Sequence, residues 1–404
     1  MTQSPRTAGS TRSQEPHSAA PAWWNDIRVR GVLYQVLVIG GVVALAWYLV
    51  SNTLNNLAAR DIATGFGFLN REAGFAISES PIPYSAGDTY LRALGVGILN
   101  TLKVSFIGII LASILGAITG VARLSSNWLV STFALCYVEG LRNIPLLLQL
   151  FFWYVLITEG LPRPREAFNP ISGIYLSNRG LRYPEPIWHE AYAFMAAGLV
   201  IGIVASWLIM RWARLRQERT GQLFPGFRVA AVLILGLPLL GYLVGGAPTA
   251  MDVPELRGFN FRGGGTLTPE FVALLVGLVV YTGTFIAEIV RGGILSVFHG
   301  QTEAGLALGL RRGLVMRLIL LPQALRVIIP PLTSQYLNLA KNSSLAVAIG
   351  YPDLVSVANT AINQTGQAVE GIAIIMAVYL TLSLSISAFM NWYNRRIALE
   401  RGRF

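Results

Sequence analysis

The chain has 404 residues, 53% of them hydrophobic and only 13% charged, with a formal charge of +11. That balance excludes a soluble domain, and because the arginines stand at the ends of apolar runs, the positive charge reads as membrane topology rather than a nucleic-acid-binding stripe. Function classes fall away in the same manner. The one cysteine, Cys136, allows no intrachain disulfide or cysteine metal site, and His17, His189 and His299 form no metal-binding pattern. Neither of the two lysines, Lys103 and Lys341, follows a glycine, so the chain has no phosphate-cradling P-loop; if transport here is ATP-driven, another chain hydrolyses the ATP.

In chain order, residues 1–30 read as a disordered tail rich in Ser, Thr, Pro and Ala. Gly31–Ser51 is an apolar run long enough to cross about 30 Å of hydrocarbon, and too long for the core of a cleaved signal peptide. Residues 31–93 are this first span and a loop. Further spans are expected at about 94–121, 130–157, 190–210, 228–247, 269–290, 324–345 and 369–391. The fold class is therefore all-α, a polytopic membrane bundle of about eight transmembrane helices. The last three spans and the pair at 94–157 suit a five-helix core within 94–404, with residues 158–268 as an insert carrying an extra helical hairpin. Pro330-Pro331 is expected to interrupt the seventh span, as part of a pathway or as a packing kink.

Basic residues orient the chain. Nineteen fall on the side of the termini, against nine in the loops at 52–93, 158–189 and 246–268, where nine acidic residues offset them. The positive-inside rule puts both termini in the cytoplasm of a multi-pass protein.

Between two spans, Glu303, Ala304, Gly305, Gly309, Ile319, Leu321 and Pro322 are spaced Glu-Ala-Gly-x3-Gly-x9-Ile-x-Leu-Pro. Ala304, Leu306, Ala307, Leu308 and Leu310 suit a short apolar helix with Glu303 near its N-terminus, and Gly309 and Gly313 a bend. Pro322 suits the first turn of the next helix. A short apolar helix of this kind either docks in a partner's groove or lies on lipid. The spacing is similar to the "EAA" loop of ABC-importer permeases, with Gly305 in place of the second alanine.

Three other stretches resemble the polar amino-acid group of those permeases, which serves histidine, glutamate and glutamine. They are Tyr137-Val138-Glu139-Gly140-Leu141-Arg142-Asn143-Ile144-Pro145 with its continuation to Phe152, Tyr281–Ile294, and Lys341-Asn342-Ser343-Ser344-Leu345. Asn143 stands where many relatives carry Gly. The insert and the first span resemble the larger permeases of general L-amino-acid importers in Gram-negative bacteria.

The resemblance implies a bacterial inner-membrane location, a cytoplasmic ABC ATPase dimer that binds ATP, a second permease subunit, related or identical, and a periplasmic amino-acid-binding protein. It implies no cofactor or metal in this chain, no covalent chemistry and no nucleic-acid partner. It makes Glu303, Ala304, Gly305, Leu306, Leu308 and Gly309 the ATPase-coupling residues.

Candidate pathway residues come from charge and polarity within the spans. Glu139 with Arg142, and Glu288 with Arg291, are i,i+3 pairs that either line the cytoplasmic half of a pathway or fix helix packing. Asn143 adjoins the first pair. Lys341, Asn342, Ser343 and Ser344 offer the donors and acceptors an amino-acid zwitterion needs, or else simply cap a helix. An ion-coupled secondary transporter would leave the EAA loop unexplained. An integral membrane enzyme would need a polar constellation that the sequence does not contain.

Overall fold

The computed structural model describes residues 27–59 and 64–399, which fall into two units divided after Phe66. The first contains one long helix, α1 (Ile27–Ala59). Its Arg30–Thr53 stretch is long and apolar enough to span a bilayer. The expectation of disorder for residues 1–26 lies outside the described residues, whereas residues 27–30 are already helical and correct that boundary.

The second unit is built on α2 (Tyr90–Ala122), α3 (Trp128–Arg142), α4 (Leu146–Gly160), α5 (Glu190–Thr220), α6 (Gly226–Val244) and α7 (Pro269–Leu295). After these come α8 (His299–Ala307), α9 (Arg312–Val315), α10 (Leu321–Asn342), α11 (Leu354–Thr365) and α12 (Ala368–Leu399). Among the described residues seven helical segments are long and apolar enough to cross a membrane, and eight if α3 and α4 together make one. The fold is a helical membrane bundle.

Its centre is the α2–α7 pair. Helix association in lipid gains little from hydrophobicity and depends on close backbone approach. Gly116 and Gly120, one turn apart on α2, supply it: a Cβ on the first would lie 2.6 Å from Ile286 Cβ, and on the second 2.6 Å from the Ala287 carbonyl. Leu150 of α4, Leu274, Leu278 and Ile286 of α7, and Leu339 of α10 close the core around this seam.

Two expectations about spans are corrected. The run 130–157 is not one straight helix: α3 and α4 meet at 106°. Each has 15 residues, roughly 22 Å, too short to cross alone. Pro145 has no N–H to donate and disfavours helix in the residue before it. Gln149 stitches the corner, its Nε2 donating to the Leu141 (2.8 Å) and Ile144 (3.0 Å) carbonyls. Conversely, Pro330 and Pro331 do not interrupt the seventh span, because α10 runs through both. A break there would expose more backbone to lipid than the two lost donors do, and packed neighbours tolerate proline inside membrane helices. The irregularity falls earlier, at Met316–Leu320, one stretch of π-helix.

The insert folds as a hairpin of α5 and α6 with short strands at its base. β1 (Phe168–Ile171), β2 (Ile174–Ser177), β3 (Gly180–Tyr183) and β4 (Glu185–Pro186) precede it. β5 (Met251–Asp252), β6 (Glu255–Arg257), β7 (Asn260–Arg262) and β8 (Gly265–Leu267) follow it. The antiparallel pairings β3–β8 (Leu181 opposite Leu267) and β4–β5 (Glu185 opposite Asp252) cross between the two loops. Loops that pair must share a side of the bundle, as the charge count required of 158–189 and 246–268. The segment before α2 joins them, since Thr268 donates to Glu79 Oε2 at 2.7 Å.

Candidate functional site

At the end of the bundle away from the strands, charged groups from three helices meet. Arg123 caps the C-terminus of α2, and its guanidinium pairs with Glu288 on α7. Arg291, one turn along α7, holds the other carboxylate oxygen of Glu288 at 2.6 Å. On α3, Arg142 lies 3.3 Å from Glu139, and Glu139 is within electrostatic reach of Arg291. The two expected i,i+3 pairs are thus both present, and they join into one network. Tyr137 braces it by donating to the Val280 carbonyl at 2.8 Å, tying α3 to α7. Asn143 sits at the C-cap of α3 and spends its Nδ2 on the Glu139 carbonyl at 2.7 Å, so it belongs to the corner. The sequence reading missed Arg123 as a member, counting it only toward topology.

The EAA stretch forms α8, a bend and α9. Two details differ from expectation. The helix begins at His299 and ends at Ala307, so Leu308 is its cap and Leu310 lies beyond it. Glu303 is in the second turn rather than at the N-terminus, and its carboxylate meets His299 at 3.2 Å instead of the helix dipole's positive end. Gly305 is buried, and a Cβ there would lie 2.9 Å from both Val315 and Ile319, which gives a steric reason for glycine in place of alanine. Gly309 turns the chain with φ +78°, a conformation that favours glycine. This fold leaves Phe298 (80%), Leu308 (81%) and Leu306 (40%) exposed, with Ala304 on the surface beside them. Pro322 stands in the first turn of α10, as expected.

Lys341, Asn342, Ser343 and Ser344 close α10 and lead into a 3-10 segment, Ser343–Ile349. The two hydroxyls donate to carbonyls three residues back, Ser343 to Ala340 at 2.8 Å and Ser344 to Lys341 at 2.7 Å. Their oxygens keep acceptor capacity only. The side chains of Lys341 and Asn342 make no hydrogen bond or ion pair among the described residues.

The opposite end holds a second polar network that the sequence did not signal. Glu79, 8% exposed, pairs with Lys103 of α2 at 2.6 Å. Asn100, fully buried, donates to the Glu79 (2.8 Å) and Pro352 (2.9 Å) carbonyls. Asp353, also fully buried, caps α11 by accepting from Ser356 N at 2.8 Å. Burial pushes its carboxyl up to about 6, against the lowering effect of those backbone donors. Among the described residues no cluster of three His, Cys, Asp or Glu could hold a metal ion.

The general L-amino acid transport system permease protein AapQ of Rhizobium johnstonii is 52% identical over 374 residues, 93% of this chain and 94% of that one. The glutamate/glutamine/aspartate/asparagine transport system permease protein BztB of Rhodobacter capsulatus is 41% identical over 93% of this chain and 95% of its own. Residues 108–399, which contain the charged network, the α8–α9 loop and the end of α10, match the family described as "Binding-protein-dependent transport system inner membrane component". With most of the bundle matched, the chain belongs to that family of inner-membrane transport components.

Proposed function

We propose that this chain is the permease subunit of an ABC importer that carries polar or general L-amino acids into the cytoplasm, ATP being hydrolysed by a separate chain. The relatives named above carry amino acids. The observation that carries the mechanism is the set of exposed apolar side chains on and beside α8, a short helix whose buried face is fixed by Gly305 against Val315 and Ile319. Such a helix is built to seat in a groove, and the cytoplasmic ATPase dimer supplies the groove.

In this reading α8, the π-helical stretch and α10 form one lever. Movement of the ATPases reaches α8, passes through the Val315–Ile319 contact, and runs along α10 to Lys341 and Asn342. Those two side chains, with the acceptor oxygen of Ser344, meet the substrate's charged groups, while Ser343, fully buried, holds the turn that presents them. The network of Arg123, Glu139, Arg142, Glu288 and Arg291 lies toward the cytoplasmic end, where it lines or gates the exit. A second permease, a related paralogue, completes the pathway, and a periplasmic amino-acid-binding protein delivers substrate at the end that carries the strands. Both termini and the EAA loop lie in the cytoplasm, and the core domain is 94–404 with the insert at 158–268.

Uptake of a panel of labelled L-amino acids by cells with and without this chain tests the reading. Loss of ATP-dependent uptake of several polar amino acids on deletion is expected. Unchanged uptake of every amino acid, with loss of some other solute, would overturn it.

A further inference from the structure

The α5–α6 hairpin differs from the rest of the bundle in its neighbours. Its two helices pack on one another through glycines and, among the described residues of the second unit, hardly touch any other helix; a Cβ on Gly202 would lie 2.7 Å from the Leu233 carbonyl. Each is long and apolar enough to cross a membrane, so the outer surface of the hairpin is lipid-facing. Toward the end remote from the strands the two packed helices flank a groove of about 590 Å³. Arg211 and Arg214 stand on one wall, with Met210, Ala230 and Ile234 forming apolar surface between the helices. The Arg211 guanidinium lies over the Trp207 ring at 5.8 Å, which places a cation and an indole together at the groove's edge. Ser206, the polar side chain deepest in the groove, already donates to the Ala230 carbonyl at 3.2 Å. Glu218 also lines the groove, so its fixed charge is two guanidinium groups against one carboxylate.

Two cations above an apolar floor, on a hairpin flanked by hydrocarbon, ask for a ligand with an anionic head and an acyl tail. The geometry points to a binding site for an anionic phospholipid, with the phosphate held by Arg211 and Arg214 and a chain lying over Met210 and Ile234. A soluble phosphate would gain nothing from the apolar floor. A zwitterionic lipid brings no net charge to a groove with a net cation, whereas a headgroup of charge −1 neutralises it. Basic residues beside a membrane surface attract anionic lipid, and basic pockets between spans are where such headgroups settle.

The test uses the full-length permease, purified in detergent and stripped of lipid. It is then titrated with phosphatidylglycerol, phosphatidylethanolamine or phosphatidylcholine, and bound lipid is counted by native mass spectrometry. One phosphatidylglycerol retained in preference to the zwitterionic lipids is expected, with affinity falling about tenfold or more in R211Q/R214Q. R211K/R214K should keep the lipid, and Ile234→Trp, which fills the floor and leaves both charges, should displace it. These two variants decide the matter if the glutamine variant fails to fold. Equal retention of phosphatidylcholine or phosphatidylethanolamine, retention by both R211Q/R214Q and Ile234→Trp, or displacement by millimolar inorganic phosphate would each overturn the assignment. So would photo-crosslinking from position 207 to a protein rather than a lipid in native membranes.

Discussion

The two ends of the bundle solve opposite problems. At the end that carries the strands, polar groups are buried and bonded to one another, with only Asn100 Oδ1 of this group left without a partner among the described residues. Glu79, Lys103, Asn100, Thr268 and Asp353 bind the segment before α2, the base of the insert and the start of α11 into one piece. At the other end the His299–Glu303 contact of α8 is exposed, as are the apolar side chains Phe298, Leu306 and Leu308. A buried polar network of this kind is costly to break. Exposed apolar side chains on a short helix contribute little to the fold that holds them and await a partner. The contrast teaches where this chain is complete in itself and where it is one part of an assembly.

Single substitutions should separate the two ends sharply. Lys103→Met removes the partner of a carboxylate that is only 8% exposed. Lys103 is 31% exposed and Thr268 still donates to Glu79, so the cost falls below the about 3–5 kcal/mol of a fully buried pair, and thermal unfolding in detergent should show a clear loss of stability. Leu308→Ser at the other end should change stability by about 0.5 kcal/mol or less. Comparable losses from the two variants would erase the distinction.

Asp353 sharpens the same comparison through pH. Its folded-state carboxyl titrates near 6, above the unfolded value of 3.8, so the folded chain holds the proton more tightly. That contribution is fully present below about pH 4 and is lost as pH rises through 6; it amounts to at most about 3 kcal/mol. The melting temperature should therefore fall between pH 5 and pH 7.5. Asp353→Asn, which keeps a capping side chain, should flatten that fall. An identical pH profile in the variant would remove Asp353 as its source.

The smallest effect concerns selectivity. If Asn342 meets the substrate, Asn342→Asp adds a negative charge that favours cationic amino acids over anionic ones. Competition uptake at matched expression should raise the ratio of Lys and Arg transport to Glu and Asp transport. An unchanged ratio would leave Asn342 as part of the α10 terminus alone.

Much of this was legible in the chain because membrane segments announce themselves by length and apolarity, and the EAA spacing by its glycines and proline. The helices found at 190–220, 226–244 and 269–295 overlap the runs read from composition. What escaped depends on partners distant in sequence. Arg123 and Glu288 are 165 residues apart, and nothing local to either marks the pair. Glu79 lies in a polar loop and reads as solvated until Lys103 and Thr268 arrive. The two prolines misled in opposite directions. Pro145 breaks a run whose apolar character is continuous on both sides, while Pro330 and Pro331 sit inside a helix that continues through them. The strands of the insert are two to four residues long, and β4, β5 and β8 pair only across the hairpin, so no stretch is long enough to show a period of two.

The central claim is that α8 couples this chain to an ATPase, and its most direct measurement is copurification. The partner ATPase should copurify with the wild-type chain in defined stoichiometry. The L306A/L308A variant, equally stable and equally inserted, should lose most of that association and its uptake together, because a helix seated in a groove draws its affinity from a few apolar anchors. Wild-type association and uptake in that variant would contradict the coupling role of α8.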